Sequence, residues 1–165
     1  MQFLVDIFRS CLLATESYIY WLYTIGMIGN WYTISKRNQF ISVTDDEPDL
    51  VYLFKEALGT IEGLDVLAFT DPILALEHFK INYRNYKCII TDYRMPSMTG
   101  VEFLDEVKNI SPDVKRILVS AFDMQDDLFK ECHCIDSFMS KPVKMADLIR
   151  EVQQQVKKVE SGNVS

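Results

Sequence analysis

A chain of 165 residues with 48% hydrophobic, 25% charged and 12% aromatic residues carries enough apolar material for one ordinary core, which excludes disordered and collagenous classes. The formal net charge of −7 speaks against a nucleic-acid surface, which needs a basic face to meet phosphate. That charge is uneven: residues 1–37 carry +1 (Arg9, Lys36 and Arg37 against Asp6 and Glu16), which leaves −8 for the remainder.

Residues 1–37 form a hydrophobic extension unlike the rest of the chain. The run from Tyr18 to Ile34 is uncharged and rich in aromatics. Three readings stay open. As a membrane anchor, the run is at the short limit for a spanning helix, with Trp21 and Trp31 as interfacial residues and Lys36/Arg37 keeping the C-terminal domain in the cytoplasm. As an extra amphipathic segment, it lies on a membrane surface or on the domain. As a wrongly assigned start, it gives way to translation from a later point such as Met27. A cleaved signal peptide fits poorly, because there is no basic n-region and no small-residue cleavage site.

From Gln39 the pattern becomes strand alternating with helix, and a domain is expected over residues 38–160 with a tail at 161–165. Phe40 to Thr44 reads as a strand ending in Asp45-Asp46-Glu47-Pro48, with Pro48 in the first turn of a helix where its missing N–H costs nothing. Leu50, Leu53, Phe54, Ala57 and Leu58 have the spacing of a core-facing stripe. A second strand, Val66 to Phe69, is followed by Thr70-Asp71-Pro72, a cap and first-turn proline, and by a helix carried by Ile73, Leu76 and Phe79. The third strand is the apolar run Cys88-Ile89-Ile90, ending at Asp92 before a loop with Pro96 and the helix-opening Gly100. Such a run suits a strand buried on both faces. Val101, Leu104 and Val107 mark the next helix, which Ser111-Pro112-Asp113 stops. A fourth strand, Ile117 to Val119, ends at Ser120-Ala121; a short polar helix spans Met124 to Glu131. A fifth strand, Ile135 to Met139, ends in Ser140-Lys141-Pro142, and a last helix from about Val143 carries Leu148, Val152, Val156 and Val159 on one side. Short connections and right-handed crossovers then give an α/β doubly wound parallel sheet.

The cysteines (Cys11, Cys88, Cys132, Cys134) show no zinc spacing, and reduced thiols are expected. His78 and His133 fit no phosphohistidine relay and are expected as surface or helix residues.

The residues that end each strand carry the chemistry. Asp45 and Asp46 close the first strand, Asp92 the third, Ser120 the fourth and Lys141 the fifth. In a doubly wound sheet these ends share one crevice where strand order reverses. Any one of them alone is an ordinary turn or cap residue. Together they make an oxygen-rich site suited to Mg²⁺, which takes one or two carboxylates and keeps water. Asp92, on the central strand, is placed as a nucleophile of the aspartyl-phosphate kind. Lys141 supplies a point charge and Ser120 a hydroxyl for the incoming phosphoryl oxygens.

The residues Asp45-Asp46-Glu47-Pro48, Asp92 with Met95-Pro96 and Gly100, Ser120-Ala121 and Lys141-Pro142 resemble, in order and spacing, the receiver domain of two-component response regulators. The resemblance implies a flavodoxin-like (βα)5 fold and phosphorylation of Asp92 by a partner histidine kinase or phosphotransfer protein. It implies Mg²⁺ held by Asp46, Asp92 and the backbone carbonyl of Arg94, with Asp45 acting through water. By the same likeness, Ser120 stands at the family's switching hydroxyl and Phe138 at its switch aromatic. Arg94 and Phe122 border the route of an attacking water. The face of the fourth helix, fifth strand and fifth helix is expected to meet an unknown downstream protein. A cytoplasmic domain without turnover chemistry on other substrates is expected, unless the extension tethers it to a membrane. Two alternatives stand beside this reading. An aspartate-nucleophile phosphohydrolase of the haloacid dehalogenase type needs a second Asp two residues after the nucleophile, where this chain has Arg94. A receiver-like interaction scaffold without phosphorylation would be marked by loss of an acidic residue or the lysine, and all are present.

Overall fold

A computed structural model describes residues 39–121 and 133–162. The N-terminal extension and the helix expected over 124–131 lie outside the described residues. The described residues fall within one compact unit. In chain order the described elements are β1 (Gln39–Thr44), α1 (Pro48–Leu58), β2 (Leu64–Phe69), α2 (Pro72–Asn82), a short 3-10 turn (Tyr83–Asn85), β3 (Tyr86–Asp92), α3 (Gly100–Ile110), β4 (Lys115–Ser120), β5 (Ser137–Ser140) and α4 (Met145–Gly162).

The five strands form one parallel sheet in the order β2-β1-β3-β4-β5. The chain reverses its direction of winding between β1 and β3, so the crevice beyond the carboxyl ends of these two strands is where such a sheet receives ligands. Period-two alternation sends the strand side chains to two cores. Leu76, Phe79, Ile89, Phe103, Leu104, Val107 and Leu118 pack on the α2/α3 side. Ile41, Val43, Phe54, Leu58, Ile90, Ile117, Val119, Leu148 and Val152 pack on the α1/α4 side. Each fully buried Phe, Leu or Ile contributes roughly 1.5–3 kcal/mol, so these two layers fix the strand ends against one another.

Several helical stripes sit differently from the spacing-based expectation. On α1 the buried row is Val51, Phe54 and Leu58, whereas Leu53 is 49% exposed. Phe54 and Leu58 belong to both rows; Val51, three residues before Phe54, completes the one that faces the sheet. On α2 the buried residues are Pro72, Ala75, Leu76 and Phe79, while Ile73 turns outward. On α3, Phe103 joins Leu104 and Val107. β5 starts at Ser137 rather than Ile135, because Asp136 uses its carboxylate to accept the Arg116 N–H (2.9 Å) and delays the regular ladder. α4 starts at Met145 rather than Val143, after a cis Lys141–Pro142 peptide. His78 is half-buried on α2, within 2.7 Å of the Tyr86 hydroxyl. Cys88 is a buried free thiol, but Cys134 is disulfide-bonded, which corrects the expectation of reduced thiols throughout. No described helix is long and apolar enough to cross a membrane.

Candidate functional site

The register brings the strand ends level. Thr44 pairs with Thr91, Asp92 with Val119, Val119 with Met139 and Ser120 with Ser140. Backbone bonds carry the alignment one residue further: Asp45 N–H donates to the Phe69 carbonyl (3.2 Å), Tyr93 N–H to Val119 (3.0 Å) and Lys141 N–H to Ser120 (2.7 Å). The chain therefore delivers Asp45, Asp92, Ser120 and Lys141 to one edge before any side-chain contact is counted.

Lys141 bridges the two buried carboxylates. Its Nζ lies 2.9 Å from Asp45 Oδ2 and 2.6 Å from Asp92 Oδ1. The other oxygens accept backbone N–H groups, Asp45 Oδ1 from Glu47 (3.0 Å) and Asp92 Oδ2 from Arg94 (2.6 Å). Asp92 is 7% exposed and Asp45 2% exposed, so a shared cation and directed N–H donors offset part of the cost of burying charge. Burial nevertheless raises the Asp45 carboxyl above its ordinary range, against the Glu47 N–H and the ammonium, with Asp92 adding like-charge repulsion. Burial by itself would lower the Lys141 ammonium, but its bonds to Asp92 and Asp45 outweigh this and hold it above the ordinary value.

Behind Asp92, Gly100 is required by close approach. A Cβ there would run into the Asp92 carbonyl oxygen and lie 2.9 Å from Leu118 Cδ1. Its N–H donates to the Tyr93 carbonyl (2.9 Å), which closes the β3–α3 loop. Thr99 caps α3 through a reciprocal box with Glu102 and fixes the other end of that loop. The loop is thus packed directly against the Asp92 backbone.

A cleft of about 300 Å³ opens over these groups, lined by Asp46, Glu47, Asp92, Arg94, Ser120 and Lys141. Asp46 is exposed at its rim and Ser120 is buried at its wall. Glu47, to which sequence reasoning assigns no role, lines the cleft with Oε1 3.9 Å from Lys141. The signal for it is its place in the acidic run after β1. Phe138 lies outside the cleft, partly buried on β5 against the α2/α3 core. Phe122 lies outside the described residues.

A family model described as the response regulator receiver domain matches residues 41–153. The chain belongs to that family. This receiver domain is 33% identical over 98 residues to the two-component response regulator ARR16 of Arabidopsis thaliana, covering 56% of this chain and 58% of that protein. It spans less than two thirds of the length of such curated relatives. Among solved structures, a receiver domain protein of Clostridium thermocellum superposes with a TM-score of 0.67 at 26% identity, over 74% of this chain and 97% of that one. The response regulator TrrA of Thermotoga maritima, solved in complex with Mg(2+)-BeF, superposes with a TM-score of 0.62 at 30% identity, over 71% and 98%.

The donors of this receiver domain fit a hard divalent cation. Carboxylate oxygens of Asp46 and Asp92 border one cleft, with Asp45 beside Asp92 through the shared ammonium. Among the described residues no three His, Cys, Asp or Glu side chains are grouped as a closed metal cage. Mg²⁺ does not need one, since it takes one or two carboxylates and keeps several waters.

Proposed function

We propose that this receiver domain accepts a phosphoryl group on Asp92 from a phosphohistidine of a kinase or phosphotransfer protein, and that the modification changes a partner-binding face. The observation that carries the reading is the Asp92 carboxylate in an open cleft, 2.6 Å from the ammonium of Lys141. In the step, an Asp92 oxygen forms a bond to phosphorus as the phosphorus–nitrogen bond of phosphohistidine breaks, and the imidazole leaves with the electron pair. Lys141 then meets a phosphoryl oxygen in place of a carboxylate oxygen, and the Ser120 hydroxyl donates to another. Glu47 and Asp46 at the rim disfavour bulk anions, so entry calls for charge compensation.

Asp46, Asp92 and the Arg94 carbonyl would hold Mg²⁺, with Asp45 reaching it through water. When bound there, the ion supplies compensation for phosphoryl charge that one lysine does not provide.

The phosphoryl group adds nearly two negative charges and three acceptors. Drawing Ser120 and Lys141 toward it shifts the end of β4 and frees space for Phe138 to turn inward. The surface of β5 and α4 then has two forms, and a downstream protein that prefers one reads the signal. In this reading the domain catalyses only its own phosphorylation and dephosphorylation, in the cytoplasm.

The test is intact-mass measurement after incubation with Mg²⁺ and a small acyl phosphate. One added phosphoryl group is expected, absent in Asp92→Ala and not formed when a chelator is present from the start. Continuous release of phosphate from monoesters without a stable adduct would replace the reading with a hydrolase.

A further inference from the structure

Helix α2 is apolar on two sides. Ala75, Leu76 and Phe79 are buried against the sheet. On the opposite side Leu74 and Ile81 are 57% and 81% exposed, and Ile73 flanks them. At 3.6 residues per turn, Leu74 and Ile81 lie seven apart on one line of the helix. A single exposed leucine is ordinary, but an eleven-residue helix with apolar residues on both faces is normally covered on both.

The charges around this outer face are segregated. Asp71 caps its N-terminus, where Oδ1 accepts the Ile73 N–H (2.8 Å), and Glu77 stands at its midpoint, whereas Lys80 and Arg84 lie toward and just beyond its C-terminal end; all four are exposed. Among the described residues no ion pair engages Glu77, Lys80 or Arg84. The Arg84 guanidinium is held over the Tyr83 ring at 5.4 Å, which leaves the cation presented at the surface. On α1 the exposed Tyr52 and Leu53 have no such division, since Asp49, Lys55 and Glu56 mix along the helix.

We propose that this face binds a second copy of the chain, with two α2 helices packed antiparallel about a two-fold axis. The arrangement is self-complementary in both chemistry and register. A centre between Glu77 and His78 sets Leu74 against Ile81 of the second copy, and the same centre sets Asp71 against its Arg84. Glu77 then lies within about one turn of Lys80 of the second copy. An isologous contact needs a surface that complements itself under two-fold rotation, and an apolar line with acid at one end and base at the other meets that condition. His78 stays out of the contact, since its ring is turned inward to Tyr86, Phe40 and Phe69. Dimerisation of this kind does not depend on phosphorylation of Asp92.

Sedimentation velocity of the full-length chain across a wide concentration range tests it. The wild type is expected to form a dimer. Leu74→Glu and Ile81→Glu are each expected to raise its dissociation constant by at least about tenfold. Glu77→Lys alone should also weaken the dimer by replacing the attraction to Lys80 of the second copy with like-charge repulsion. Adding Lys80→Glu to that variant, with Asp71 and Arg84 left in place, should restore it. Ile81 is the more exposed position, so Ile81→Glu decides the matter if Leu74→Glu perturbs folding. A chain that stays monomeric, or an assembly insensitive to all these substitutions because it forms elsewhere, the N-terminal segment included, overturns the proposal.

Discussion

At the scale of single residues, Lys141 and Gly100 do the most to define the site. Lys141 compensates two carboxylates that would otherwise repel, and its side chain is 20% exposed, so solvent screens part of the interaction. Lys141→Met should cost roughly 1–3 kcal/mol at neutral pH, since it leaves buried charge without its partner. A carboxyl raised in the folded state, as Asp45 is, holds its proton where the unfolded chain has lost it. Stability from that group therefore grows as pH falls through its folded pKa, and the deficit of Lys141→Met should shrink in acid. Urea midpoints at several pH values check this, and a constant deficit would contradict it. Gly100→Ala places a methyl against the Asp92 backbone, which cannot give way as a flexible side chain does. A loss on the order of 2–3 kcal/mol is expected, together with slower phosphorylation because Asp92 must move. Stability and acyl-phosphate kinetics measured on one preparation read both effects.

Among elements, the approach to β5 depends on one buried cation. Arg116 on β4 donates from Nε to the Cys134 carbonyl (2.8 Å) and from Nη1 to Pro112 (3.0 Å), and its Nη2 lies 2.8 Å from Asp136. Asp136 N–H in turn donates to the Arg116 carbonyl (2.9 Å), and Lys108 of α3 holds the His133 carbonyl (3.0 Å). These bonds fix the amino end of a four-residue edge strand whose other end delivers Lys141. Arg116→Met keeps much of the apolar stem but takes the guanidinium from two carbonyls and from Asp136, which retains the backbone N–H of residue 116 and Lys115 at 3.9 Å, and about 2–4 kcal/mol should be lost. Hydrogen exchange at Ser137–Ser140 should accelerate before the rest of the sheet responds. Uniform acceleration across all strands would show instead that Arg116 supports global stability only.

For the whole molecule, pH dependence at the alkaline end follows from what the sheet encloses. Burial pushes the Cys88 thiol well above its ordinary 9.0 and the Tyr86 phenol above 10.0, so both stay protonated in the folded chain while the unfolded chain ionises. The unfolded state then binds fewer protons, and stability falls as pH rises. Lys141, raised by its carboxylates, adds stability that is complete below 10.5 and lost as pH climbs through its folded pKa. Each such group contributes a slope of up to roughly 1.4 kcal/mol per pH unit once pH passes its ordinary value, Cys88 from 9.0, Tyr86 from 10.0 and Lys141 from 10.5. Cys88→Val should flatten the first part of this limb with little effect at neutral pH, as followed by urea denaturation across the range.

The chain's sequence determined the strand–helix alternation, the parallel sheet and the residues that end each strand, because those depend on local signals: apolar runs, caps, first-turn prolines and a carboxylate or lysine at each exit. It also carried the motif spacing that marks the family. It did not determine which helical row faces inward on α1, since Leu53 and Val51 are equally apolar and only the position of the α4 side of the sheet chooses between them. Nor could it show that Ile73, Leu74 and Ile81 face outward, that Asp136 shortens β5, or that Glu47 joins the cleft. Tertiary structure alone decided that one ammonium would stand between Asp45 and Asp92, because residues 96 positions apart meet only when the order of strands brings their ends together.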